Sequence, residues 1–241
     1  MGLPRFYHPA SLALHHNIKL SESAARHAGT VLRLHAGDDL VLFNGDGFDY
    51  AAQLIEVTRK NVIATIKAQV KNTSESPLLL HLIQAVAKPD KMDWVMQKAV
   101  ELGVTEITPV HTKFCNLKVT DKKLSHWEGI IISACEQSGR SIIPKLNPVI
   151  AVEKFFKTNK IQQGLVFHPE ATQPISSIKE IKSSCHLMIG PEGGFHDSEI
   201  KLAVEHGFHS VKIGHRILRT ETAALAALSL MQYIQGDFSF V

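Results

Sequence analysis

Cysteine is scarce in this chain. Cys115, Cys135 and Cys185 are its three thiols, far apart and without a Cys-x-x-Cys pair. A dispersed, odd-numbered set excludes a disulfide framework and a thiolate metal cage, and fits reduced thiols in the cytosol. His15-His16 and His206-x-x-His209 lack carboxylates or thiols at ligand spacing, so no metal is expected. Long apolar runs are missing as well: no stretch approaches the roughly 18 residues of a membrane span. The opening MGLPRFYHPASL has no basic segment followed by an apolar one, so neither a signal peptide nor an anchor is expected, and the cytoplasm is the default. Charge is nearly balanced at +3, too little to imply nucleic acid by itself, although 14 histidines add conditional positive charge. Three common signatures are absent: G-x-S-x-G, the Walker phosphate loop, and G-x-G-x-x-G.

What remains is an ordinary globular composition over 241 residues, 44% hydrophobic and 20% charged, enough for a small domain and a larger one. Residues 1–70 alternate in short segments. DLVLFNGDGFDYAAQLIEV reads as strand, turn, strand around Asn44-Gly45-Asp46-Gly47, and NVIATIKAQV follows with Val62, Ala64 and Ile66 on one face. A small β-barrel-like module is expected there, and the polar KNTSESP (71–77) reads as a linker. From Leu78 the rhythm becomes strand, helix, strand, helix, which predicts an α/β domain with a mostly parallel sheet over 78–241. KPDKMDWVMQKAVELGV predicts a helix capped by Asp90 and stopped by Gly103, its stripe being Met92, Val95, Met96, Ala99 and Val100.

Four stretches hold candidate chemistry. MIGPEGGFHDSEI sets glycines directly after a strand, at the sheet edge where α/β folds bind ligands, with Glu192 the one acid in the turn. GHRILRTETAALAAL brings Arg216, Arg219 and Glu221 to the mouth of an alanine-rich helix that Thr220 or Thr222 can cap. ACEQSGR clusters Glu136, Gln137 and Arg140 at a helix end, where a solvated ion pair is the simpler reading. Arg5, His8, Arg26, His27 and Arg33, near Phe6 and Tyr7, suit phosphate contacts and base stacking, with an ordinary solvated surface as the alternative. HTKFCNLKVTDKK adds Lys113, Lys118, Lys122 and Lys123 in an expected exposed loop.

Taken together, KMDWVMQKAVELGVTEITP, ACEQSGRSIIP, MIGPEGGFHDSEI and IGHRILRTETAAL resemble, in order and spacing, the RsmE family of 16S ribosomal RNA (rRNA) uracil-N3 methyltransferases. RFYHP and HAGTVLRLHAGD resemble that family's small RNA-binding domain. The resemblance implies a SPOUT-type parallel sheet with a C-terminal trefoil knot, preceded by a PUA-like β-barrel. It further implies a homodimer, S-adenosylmethionine (SAM) as cofactor, and 16S rRNA, in the assembled small ribosomal subunit, as partner. Carried over by position, the cofactor pocket comprises Phe167, His168 and Pro169; Ile189, Gly190, Pro191, Glu192, Gly193 and Gly194; and Ile213, Gly214, Ile217, Leu218, Arg219 and Thr220. Arg219 is expected to stabilise the developing uracil anion, with Glu221 or Glu192 as base or organiser. The RNA-contact set is Arg5, His8, Arg26, His27, Arg33, Lys88 and Arg140. A SPOUT enzyme acting on another RNA site or on a ribose 2′-OH, and a catalytically silent ribosome-binding dimer, stay open as alternatives. The chain departs from the family at His196, where Ser or Thr is common, so Asp197 is expected to cap the following helix. It departs again at Lys113, which leaves the RNA contacts of the 111–123 loop unassigned.

Overall fold

The computed structural model describes residues 2–58, 61–115, 117–161, 163–178 and 183–238. It divides into two compact units, Met1–Glu75 with Ile132–Ile143, and Ser76–Ile131 with Pro144–Val241. The first unit is therefore not contiguous: residues 132–143, expected in the larger domain, fall with it.

The first unit holds β1 (Arg5–Tyr7), β2 (Asn17–Lys19), α1 (Glu22–Arg26), β3 (Asp39–Phe43), β4 (Phe48–Val57) and β5 (Val62–Lys71). They form one sheet in the order β1-β3-β4-β5-β2, antiparallel except for β1 beside β3. The alternation read from the sequence is the packing: Val62, Ala64 and Ile66 are buried in a cluster with Phe6, Leu40, Leu42 and Leu54. The β3–β4 turn closes on side-chain oxygens, Asn44 accepting from the N–H of Asp46, and Asp46 from the N–H of Phe48 and the hydroxyl of Tyr50. Residues 132–143 are tied in by polar groups. Glu136 accepts the N–H of Tyr7 at 3.0 Å, and Arg140 is paired with Glu75 at 2.6 Å. Arg5 grips Asp49 through two nitrogens and also donates to Ser141 at 2.7 Å. Burial alone would raise the pKa of Asp49, but hydrogen bonds from Arg5, Ser141 and Asn72 outweigh it and hold the group low.

The second unit runs β6 (Leu79–Ala85), α2 (Pro89–Glu101), β7 (Val104–His111), α3 (Asp121–Ser138, its last residues in the first unit), β8 (Lys145–Leu146), β9 (Ile150–Ala151), α4 (Val152–Thr158), β10 (Gly164–Phe167), β11 (Gln173–Pro174), β12 (Ser184–Ile189), α5 (Asp197–Glu205), β13 (Phe208–Lys212) and α6 (Thr220–Gln235). The eight-stranded sheet has the order β11-β13-β10-β12-β6-β7-β8, with β9 on β7, and every pairing is parallel. Such a sheet must be covered, and its strands read as continuous apolar runs. The stripe expected on α2, from Met92 to Val100, is fully buried. Lys88 rather than Asp90 is the N-cap of α2, because Pro89 takes the first helical position, where its missing N–H costs nothing. α6 is fastened at its far end by Gln232, which accepts from Ser76 at 2.7 Å and donates to the carbonyl of Leu102 at 3.0 Å. The 71–77 segment, read as a linker, thus carries a buried anchor in Ser76. Among the described residues no helix is long and apolar enough to cross a membrane.

Two polar groups interrupt the apolar run of β6. His81 bonds Thr108 at 2.7 Å, and its ring lies 5.0 Å from that of His186 on β12. Burial favours the neutral ring, more than the attraction of Glu106 opposes it, and pushes His81 down to about 4. His186 is lowered by the same cause. Below pH 6.5 the unfolded chain takes up these protons and the folded protein does not, so stability falls as the pH drops from 6.5 towards 4. Each histidine contributes a slope of at most about 1.4 kcal/mol per pH unit. Urea unfolding measured between pH 7.5 and 5 is expected to show this loss, with a shallower slope in His81→Gln.

Candidate functional site

Strands β13, β10, β12 and β6 are consecutive neighbours and parallel, so their carboxyl ends open on one edge of the sheet. That edge is where open α/β sheets receive ligands. The segments following these strands line a cavity of about 550 Å³, a size that suits a small molecule. β10 contributes Phe167, His168 and Pro169; β12 contributes Ile189 through Gly194; β13 contributes Ile213, Gly214, and Ile217 through Thr220. Every residue that the sequence placed on the cofactor therefore borders this cavity, with Glu221 and Lys88 beside them.

The turn after β12 holds its shape through the backbone and the start of α5. Gly194 sits at φ +73, a conformation that a side chain resists. Helix α5 is capped by His196, not by Asp197 as expected. The His196 ring nitrogen Nδ1 accepts the N–H of Ser198 at 3.2 Å, and Glu199 accepts the N–H of His196 at 2.8 Å. An imidazole nitrogen therefore takes the acceptor role of the usual Ser or Thr.

Thr220, offered by the sequence as a cap for α6, does something else. Arg219 occupies the N-cap without a side-chain hydrogen bond. The Thr220 hydroxyl is buried, donating to the carbonyl of Gly190 at 2.6 Å and accepting from Nε2 of Gln84 at 3.0 Å. One side chain thus joins the end of β6, the turn after β12 and the start of α6.

The first turn of α2 organises the acids. The backbone N–H of Lys88 donates to Glu192 at 3.1 Å, and Lys91 Nζ bonds Glu221 at 2.5 Å. Burial works against the charged form of Glu221, but the Lys91 hydrogen bond and the charges of Lys91 and Arg219 prevail, and its pKa lies below the ordinary range. The second oxygen of Glu221, Oε2, is buried without a hydrogen-bond partner. Among the described residues no group of His, Cys, Asp and Glu is arranged to hold a metal.

The sequence missed Lys91, Phe195, Lys212 and Ala223, all of which border the cavity, whereas Arg216, which it singled out beside Arg219, also borders it. It also missed Gln84, which an isolated polar residue in LLLHLIQAV signalled. Of the expected RNA contacts in the first unit, Arg26, His27 and Arg33 are exposed. Arg26 and Arg33 flank a π-helical turn, His27–Val31, and Arg33 has φ +55. The His27 ring meets Phe6 edge-on at 5.7 Å. His8 is half-buried, and burial lowers its pKa. Arg5 and Arg140 do not fit the expectation: Arg140 is 3% exposed and committed to Glu75, and Arg5 to Asp49 and Ser141. A guanidinium spent on an internal carboxylate is not offered to a phosphate.

A family model described as an RNA methyltransferase domain matches residues 74–232, and one described as an RNA methyltransferase PUA domain matches residues 20–67. The chain is 39% identical to a ribosomal RNA small subunit methyltransferase E of Buchnera aphidicola, over 98% of each chain. A protein of the same name from Neisseria gonorrhoeae, crystallised bound to SAM, superposes with a TM-score of 0.93 at 37% identity, covering 98% of this chain and all of that one (100%). A Legionella pneumophila structure with SAM as bound cofactor gives 0.94 at 40% identity, over 99% and 100%.

Removal of the Thr220 hydroxyl leaves the Gly190 carbonyl and the Gln84 amide without their buried partner. Thr220→Val is expected to cost about 1–3 kcal/mol, read as a lowered urea midpoint, with Thr220→Ser close to the parent.

Proposed function

Because the chain belongs to the ribosomal RNA small subunit methyltransferase E family, we propose that it transfers a methyl group from SAM to N3 of one uridine in 16S rRNA. The observation that carries this reading is the convergence of three post-strand segments on one cavity, with Arg219, Glu221 and Glu192 along it. The donor set fits the cofactor. Ile189, Phe195 and Leu218 give apolar wall, the backbone of the three segments offers hydrogen bonds to an adenine, and the unpartnered Oε2 of Glu221 awaits a donor. When bound, SAM supplies a methyl already activated by its sulfonium, so orientation and in-line approach are most of what the protein must add.

The harder problem is the uracil N3–H. Lys91 neutralises Glu221 and lowers its proton affinity, which makes it the poorer base. Glu192 is held only through the backbone N–H of Lys88 and is exposed at the cavity edge. We therefore assign proton acceptance from N3 to Glu192 and an organising role to Glu221. Lys91 pairs with one oxygen of Glu221, and the charge of Arg219 is assigned to the uracil anion as it forms.

The reading extends to the rest of the assembly. The first unit, with Arg26, His27 and Arg33 outward, is the RNA-binding, PUA-like part, and the substrate is the assembled small subunit in the cytoplasm. The C-terminal segment threads a trefoil knot, a reading supported by the grip of Thr220 on Gly190 and Gln84. Two copies associate as a homodimer, for which the exposed Trp94 and Tyr233 on the packed helices α2 and α6 offer surface.

Variants at three places test this, together with mapping of the product and SAM calorimetry. Arg219→Ala is expected to lower methylation about 10²-fold or more while calorimetric SAM affinity changes little; an unchanged rate sinks its role. Glu192→Gln is expected to slow methylation while calorimetric SAM affinity changes little, whereas an unaltered rate returns the acceptor role to Glu221. The double variant Arg26→Ala, Arg33→Ala is expected to weaken RNA binding and reduce the salt slope by about one per lost phosphate contact. Mass-spectrometric mapping of the methylated nucleotide separates N3 of uridine from another base or a ribose 2′-OH. The absence of any SAM heat indicates the silent dimer.

A further inference from the structure

An aromatic side chain that does not itself line the cavity packs against the turn that does. Phe114 is 50% exposed, and a single exposed apolar residue ordinarily needs no explanation. Its position does. A Cβ placed on Gly193, one residue beyond Glu192, would come within 3.2 Å of the Phe114 Cβ. A side chain at 193 would press on Phe114 and require it to shift by a few tenths of an ångström.

The backbone that carries Phe114 is clamped on both sides. The N–H of Lys113 donates to Glu199 at 2.8 Å, and Glu199 is almost wholly buried (1% exposed) while also accepting from His196. Lys113 Nζ reaches the Ser198 hydroxyl at 2.9 Å, and the N–H of Cys115 closes a turn onto the carbonyl of Thr112 at 3.0 Å. The Phe114 ring lies 6.0 Å from that of His196. The result is a solvent-facing ring on a fixed loop, packed against the turn that carries the proposed proton acceptor.

We propose that Phe114 is the platform on which the target uracil stacks once it leaves its RNA stack. The proposal rests on the methyltransferase reading above. A displaced base loses its neighbours on both faces, and aromatic side chains replace that contact in single-stranded RNA recognition. Stacking uses the face of the uracil and leaves its N3 edge open, where both the methyl and the proton acceptor must approach. Phe114 packs against Gly193, the residue after Glu192, so a base seated on Phe114 lies next to the turn that carries the acceptor.

The test uses the full-length protein, small ribosomal subunits lacking the modification, and the variants Phe114→Ala, Phe114→Leu and Phe114→Tyr. Initial rates give kcat and KM for the subunits, and calorimetry gives SAM affinity in their absence. Phe114→Ala and Phe114→Leu are expected to lose about tenfold or more in kcat/KM, the scale of one lost base–aromatic stack, with SAM affinity within about twofold. Phe114→Tyr is expected to stay near the parent. A leucine variant as active as the parent shows that only volume matters and overturns the proposal. A parallel fall in SAM affinity also overturns it, because it reduces Phe114 to a support for Gly193. A parent protein that binds SAM yet leaves the subunits unmethylated overturns the substrate reading itself, a different failure.

Discussion

The buried hydroxyl of Thr220 is the contact on which the ligand site depends. It joins three pieces of chain remote in sequence, from the last residues of β6 to the first residue of α6, with the turn after β12 in the middle. Backbone hydrogen bonds align the strands and continue briefly past their ends, as from the N–H of His168 to the carbonyl of Val211, but none is shared between Gly190 and the start of α6. A side chain must therefore fix how those segments face one another. Once Gly190 is held against the start of α6, the segments before and after it have little choice of course. Arg219, at the N-cap, and Glu221, one residue further, are delivered to the cavity by the same anchor.

The second layer of order is electrostatic. The first turn of α2 presents a backbone N–H to one acid and an ammonium to the other, which suits the positive end of a helix. Two carboxylates in one cavity would otherwise repel each other. Their separate partners make them chemically unequal: Glu221 is locked as an anion by a direct ion pair, whereas Glu192 keeps a single backbone contact.

Much of this was legible in the sequence, for identifiable reasons. The stripe of α2 follows from helical spacing alone, and every member is buried. The turn after β12 was legible because glycines immediately after an apolar strand mark the ligand edge of a parallel sheet, whereas Phe167, His168 and Pro169 came only from the family resemblance. Caps were less legible: Pro89 moved the start of α2 to Lys88, and His196 replaced the expected Asp197. Lys91 could not be assigned from spacing, since its partner lies 130 residues away and the pairing exists only because α2 packs on α6. The same holds for Arg5 and Arg140. Their positive charge suggested RNA, but partners 44 and 65 residues distant hold them inside the fold.

The discontinuity of the first unit bears on how such a protein is inherited. Its own polar closure requires Glu136, Arg140 and Ser141, which the chain supplies only after β7 and most of α3 have been laid down. A gene segment ending near residue 75 would encode the sheet but leave Glu75 without its arginine and Asp49 without the Ser141 hydroxyl. A cut that keeps the small unit's polar closure whole must therefore carry residues 132–143 as well as 1–75.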